Sequence, residues 1–82
     1  MKFYKIEGEH VQGGFELLDE LDGEQIEVMF AGVDPVFDSH FVVAIYGNLR
    51  QAEKVRDMMW ERNGGAWAVA QELTEEQYEA ML

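Results

Sequence analysis

The chain has no cysteine, a single proline and a single serine, and six Lys and Arg against seventeen Asp and Glu. Without cysteine, disulfides and thiolate metal sites are excluded, and the composition fits a reducing compartment. The one serine, Ser39, is followed by His40, but neighbours on an extended loop point apart, so the pair does not read as a catalytic dyad. No apolar run approaches the ~18–20 residues a membrane span requires. The N-terminal segment MKFYKIEGEH lacks the apolar core and cleavage site of a signal peptide. A soluble, cytoplasmic protein is therefore expected. The shortage of positive charge argues against direct binding to nucleic acid or to anionic lipid.

What is present suffices for one compact domain over residues 1–82. Apolar residues make up 48% of the chain, so the acidity is not the signature of disorder. The clearest unit is residues 41–65. In Phe41 to Tyr46 both alternating sets are apolar, as in an interior strand covered on two sides. Gly47 breaks the run, and Asn48 with Gln51 three residues on forms a capping box. Leu49, Ala52, Val55 and Met59 then share one helical face, with Met58 and Trp60 at its flanks. Asn63-Gly64-Gly65 stops the helix, because glycine reaches the left-handed conformation of a helix end.

Around this unit, Lys2 to Glu7 reads as a first strand, with Phe3 and Lys5 on one side and Tyr4 and Ile6 on the other. Gly8 and Gly13-Gly14 bracket an irregular stretch. Residues 15–23 have two readings. Phe15, Leu18 and Leu21 suit a short helix, which gives the ferredoxin-like order βαββαβ. Alternatively, Asp22-Gly23 is a hairpin turn. Gly13-Gly14 tips the balance towards the hairpin, since an interior glycine costs a helix ~1 kcal/mol. Gln25 to Ala31 is a strand with Ile26, Val28 and Phe30 inward. Gly32 to His40 is a loop around Pro35, with Val36 and Phe37 expected against the core edge. Ala66 to Gln71 is a last strand whose alanines let the main helix approach closely. Thr74 and Gln77 form a second capping box, with Leu73 and Tyr78 as a hydrophobic staple. The helix they start, with Tyr78, Met81 and Leu82 docked, closes the chain. The fold class is α+β: an antiparallel sheet of four to five strands, one main helix packed on it and a short C-terminal helix.

Several constellations invite a chemical reading. Asp34, Asp38 and His40 offer oxygen and imidazole ligands within one loop, but their spacing matches no metal loop, and aspartates serve loop turns in any case. His10 beside Glu7 and Glu9 is a weaker case still. Neither metal nor cofactor is expected. Gly47-Asn48 at a helix start has too few glycines for a phosphate cradle. Arg56 reads as an arginine whose stem packs on Trp60 and whose head pairs with a carboxylate of the sheet. The sharper alternative is an interface anchor.

Charge placement is the strongest functional signal. From Ile6 to Leu49, 44 residues carry ten acids and no Lys or Arg. Unneutralised like charges oppose folding, so such a field points to a basic partner surface, and nucleic-acid-binding grooves are the commonest of these. In size, acidity and absence of a catalytic signature the whole chain resembles the small phage-encoded anti-defence proteins, the anti-CRISPR and anti-restriction inhibitors, some of which imitate nucleic acid. The resemblance rests on composition. It implies a non-enzymatic inhibitor whose carboxylates stand where phosphates would meet Lys and Arg of a target. The contact residues would be Glu16, Asp19, Glu20, Asp22, Glu24 and Glu27, with Asp34 and Asp38 in addition. The rival expectation is a structural or regulatory domain that forms a homodimer through a sheet edge or the Met58/Trp60 flank.

Overall fold

Two strand–helix–strand units interleave into one sheet. The computed structural model describes residues 1–9, 14–34, 36 and 39–82, of which 14 and 15 are described by their backbone alone. The element order is β1 (Lys2–Glu9), α1 (Gly14–Gly23), β2 (Glu27–Val33), β3 (His40–Gly47), α2 (Leu49–Arg62), β4 (Ala68–Leu73) and α3 (Glu75–Ala80). The strands lie in the order β2-β3-β1-β4, every neighbouring pair antiparallel. The fold is thus α+β, with the strand order of the ferredoxin-like split βαβ arrangement.

The hairpin expected over residues 15–23 does not form; the segment is α1. Gly14, one of the two glycines that argued against a helix, is its first residue, where the cost of an interior glycine does not apply. Leu17 and Leu21, one helical turn apart, are fully buried, and Leu18 packs beside them. Each buried leucine contributes about 1.5–3 kcal/mol. The helix ends through Ile26 N–H donating to the Leu21 carbonyl at 3.0 Å, with Gln25 in the left-handed region at φ 60°. Asp22-Gly23 is therefore the tail of a helix.

One face of the sheet carries the core. Tyr4, Ile6 and Gly8 of β1 pair across to Ile45, Val43 and Phe41 of β3, and all are buried. Ala52, Val55 and Met59 of α2 and the α1 leucines complete the cluster. Ala68 and Ala70 of β4 pack against it, as their small size predicts. Both capping boxes exist, Asn48 with Gln51 and Thr74 with Gln77. Gly64 and Gly65 have φ of +72° and +79°, and Gly65 N–H donates to the Trp60 carbonyl at 2.8 Å.

Some side chains lie elsewhere than the spacing predicts. A bulge between Val28 and Phe30 shifts the register of β2, so Phe30 pairs with Ala44 on the opposite face instead of pointing into the core. Leu49, in the first turn of α2, is exposed, as are Leu82 and Val36. Val36 does not tuck into the core edge: its N–H binds Asp34 Oδ1 at 2.8 Å in an Asx turn. The expectations for His10, Val11, Phe37 and Asp38 lie outside the described residues. Among the described residues no helix is long and apolar enough to cross a membrane.

The other sheet face is roofed by α3. Phe3, Tyr46 and Leu73 stand in one cross-strand row on that face, and Tyr78 of α3 stacks on Phe3 with ring centroids 4.1 Å apart. Ala80 and Met81 line one groove together with Val42 and Phe30. Val42 and Ala44 on this face are buried. Tyr78 thus docks on the sheet.

The tightest point of the core is Gly8. A Cβ there would stand 2.6 Å from Met59 Sδ and 2.9 Å from the Trp67 carbonyl oxygen. Gly8→Ala is expected to destabilise the fold by about 1–3 kcal/mol, read as a lower urea midpoint at unchanged slope.

Candidate functional site

The acids singled out from the sequence do not form one uniform field. Glu16, Asp19, Glu20 and Asp22 lie on α1, Glu24 just after it, and Glu27 opens β2. Leu17 and Leu21 turn inward, which leaves the carboxylates on two flanks of the helix. The flank facing α2 is neutralised. Arg62 reaches Glu16 at 3.4 Å and also Glu20, and Lys54 meets Glu24 at 2.6 Å. The basic residues of α2 thus serve the acids of α1.

The other flank keeps its charge. Asp19, Asp22 and Glu27 are exposed and make no ion pair among the described residues. Asp22 and Glu27 line one shallow concavity with Leu18, Ile26 and Val28, where α1 meets the β2 edge. Glu27 also shares a depression with Met29, Tyr46 and Glu75, the first residue of α3. Glu75, Glu76 and Glu79 are exposed as well and make no ion pair among the described residues. One run of free acidity therefore extends from the outer flank of α1 over the β2 edge to α3, and Glu53 and Glu61 on α2 are exposed without an ion pair among the described residues. Asp34 stands apart from it, holding the Val36 N–H.

The open sheet face carries a second polar group, which sequence reasoning missed. His40 Nδ1 donates to Glu7 Oε2 at 2.6 Å, and Lys5 Nζ lies 3.7 Å from the same carboxylate. Trp67 Nε1 donates to Glu9 Oε2 at 2.8 Å, while the His40 ring meets Trp67 edge-on at 4.8 Å. These residues stitch β1 to both of its neighbours. The alternation of Lys5, Glu7 and Glu9 was visible in the sequence; the register that sets His40 and Trp67 beside them was not. Next to this row, Phe30, Gly32 and Val42 floor a groove of about 430 Å³ between the sheet and Met81, with Lys5 and Asp34 at its margins.

Arg56 does not reach a sheet carboxylate. Its guanidinium binds the neighbouring Asp57 at 3.2 Å. Met58 packs on the core, whereas Trp60 is exposed, so the two do not form one flank. Lys2 pairs with Glu72 at 2.8 Å, and this hydrogen bond, with the charge behind it, holds the ammonium above the usual lysine range. Among the described residues no three His, Asp or Glu side chains are grouped to hold a metal ion. Comparison with family models, with characterised proteins and with solved structures gives no match.

The role of Arg62 is directly measurable. Arg62→Ala is expected to cost about 1 kcal/mol at low salt, read by urea unfolding, with the difference shrinking at high salt. A loss independent of salt would assign the effect to the arginine stem, which is largely covered.

Proposed function

We propose that this chain is a non-catalytic, acidic protein-binding module that inhibits a partner by occupying its basic nucleic-acid-binding surface. The observation that carries the reading is how the cations are used. Of the six basic residues, Arg62 and Lys54 are committed to α1, Lys2 to Glu72, Arg56 to Asp57, Lys5 lies beside Glu7, and Arg50 makes no ion pair among the described residues. That allocation leaves Asp19, Asp22 and Glu27 unneutralised side by side, continued by Glu75, Glu76 and Glu79. A fold that sets two of its six cations against one flank of α1 and none against the other leaves that other flank as a negative surface for a positive partner.

On this reading Asp19, Asp22 and Glu27 are the primary contacts. Glu16, Glu20 and Glu24 shape the surface through α2 and are secondary. The target is a groove whose Lys and Arg otherwise meet phosphates, and the action is stoichiometric. Anti-CRISPR and anti-restriction inhibitors encoded by phage are the class of protein this describes.

The test is capture of partners from a lysate by the tagged protein, with washes of rising salt, followed by nucleic-acid binding by the captured partner. The expected result is a basic nucleic-acid-binding protein, released by salt, whose nucleic-acid affinity falls when this chain is added. The triple variant D19K/D22K/E27K should weaken that inhibition by at least about tenfold. Inhibition that survives both salt and the triple variant would exclude the acidic flank as the contact.

A further inference from the structure

We propose that β4 is the interface of a homodimer in which two copies pair β4 with β4, antiparallel and centred on Ala70, to continue the sheet. The sheet has two edges, β2 and β4. The β2 edge is protected: it carries the bulge at Met29, and Glu27 and Asp34 bound it. The β4 edge has no bulge, and its one charge, Glu72, is paired with Lys2 of the neighbouring strand. Its sequence, AVAQEL, contains no lysine, proline or glycine, and its register with β1 runs unbroken from Leu73 to Ala68.

The backbone of β4 is set for this pairing. Glu9 N–H donates to the Trp67 carbonyl, so Glu9 and Trp67 form a hydrogen-bonded pair. By the alternation of an antiparallel ladder, Val69, Gln71 and Leu73 also turn their backbone groups towards β1. Ala68, Ala70 and Glu72 turn theirs outward. Centring the new pair on Ala70 sets Ala70 against Ala70 and Ala68 against Glu72 of the second copy. Every outward group then meets another, for up to about six hydrogen bonds. Val69 falls opposite Gln71 of the second copy, and no acid faces an acid.

Side-chain exposure chooses the same margin. Glu72, the one acid on β4, is already paired with Lys2, whereas acids without an ion pair among the described residues stand on α1, β2 and α3 and, on α2, at Glu53 and Glu61. On α2, the flank turned away from α1 holds Leu49, Glu53, Arg56 and Trp60 by helical phase. Leu49 and Trp60 are 58% and 51% exposed, and Val69 on β4 is 56% exposed. Since α2 lies over β1 and β4, joining the β4 edges brings the two α2 helices to about 10 Å, two strand spacings apart, which is helix-packing distance. A second copy thus covers the apolar flank of α2 as well as the edge.

The experiment is sedimentation equilibrium of the full chain from about 1 µM to about 1 mM, at low and high salt. A dimer is expected, tightening with salt because screening relieves repulsion between two chains of net charge -11. V69K/Q71K sets lysine opposite lysine twice per dimer and should weaken association at least about tenfold. V69K/Q71E and the reciprocal V69E/Q71K set opposite charges in the same places and should dimerise at least as tightly as the wild type. The two restoring variants differ in their fit to Glu7 and Lys5 of the same chain, the β1 partners of these positions, so a gain shared by both belongs to the dimer. A monomeric wild type overturns the proposal, and so does a dimer whose association constant is the same in all three variants.

Discussion

The structure depends on how closely α2 can approach the sheet. Gly8 leaves space for Met59, and Ala68 and Ala70 carry the rest of the helix over β4. A larger side chain at any of these positions would lift α2 and open the contact of Ala52, Val55 and Met59 with Ile6 and Val43. With α2 seated over β1 and β4, the other half of the sheet, β3 and β2, is left to α1, and Leu17 and Leu21 fill it. The position of one helix, set by the absence of side chains beneath it, thereby determines where the second helix lies and which of its flanks meets a cation.

Electrostatics follows from that packing. Arg62 and Lys54 stand on the side of α2 that faces α1, so they offset Glu16, Glu20 and Glu24 once the helices are docked. Exposed pairs of this kind contribute little individually. Their larger effect is on the charge pattern, because neutralising one flank of α1 concentrates the remaining field on the other. A chain with seventeen acids and six bases cannot pair them all. Its fold decides where the surplus stands: along the outer flank of α1, the β2 edge and α3, with Glu53 and Glu61 on α2.

The sequence was most legible where the determinants are local. The β3–α2 unit, both capping boxes, the glycine turn after α2 and the alternating faces of β1 and β4 each rest on residues within a few positions of one another. The hairpin reading of residues 15–23 failed at a tie between local signals. A glycine that would break a helix interior is harmless as its first residue, as Gly14 is, and only burial of Leu17 and Leu21 decides between the alternatives. Phe30 was misplaced because one bulged residue inverts the face of everything after it. Leu49 fits the helical stripe but lies in the first turn, beyond the reach of the core. The group of Glu7, His40, Glu9 and Trp67 was invisible for a different reason: it joins three strands, and strand order does not follow from periodicity. The acidic span was legible as a count, but its division into a paired and an unpaired flank required the position of α2.

The two proposed surfaces lie on opposite margins of the sheet, and this bears on how they would act together. Contact with a basic partner uses α1 and the β2 edge; pairing with a second copy uses β4. Neither occludes the other. A dimer through β4 would have β2 as both of its outer strands, seven strand spacings or about 34 Å apart, each beside an unpaired acidic flank. A two-fold symmetric target, or a long basic groove, would then be engaged at two points by one particle. The second contact would form at the high effective concentration set by a rigid sheet. Salt would act on this assembly in opposite directions, loosening the acidic contacts while tightening the β4 junction. The net response of binding to ionic strength therefore reports which junction limits the affinity.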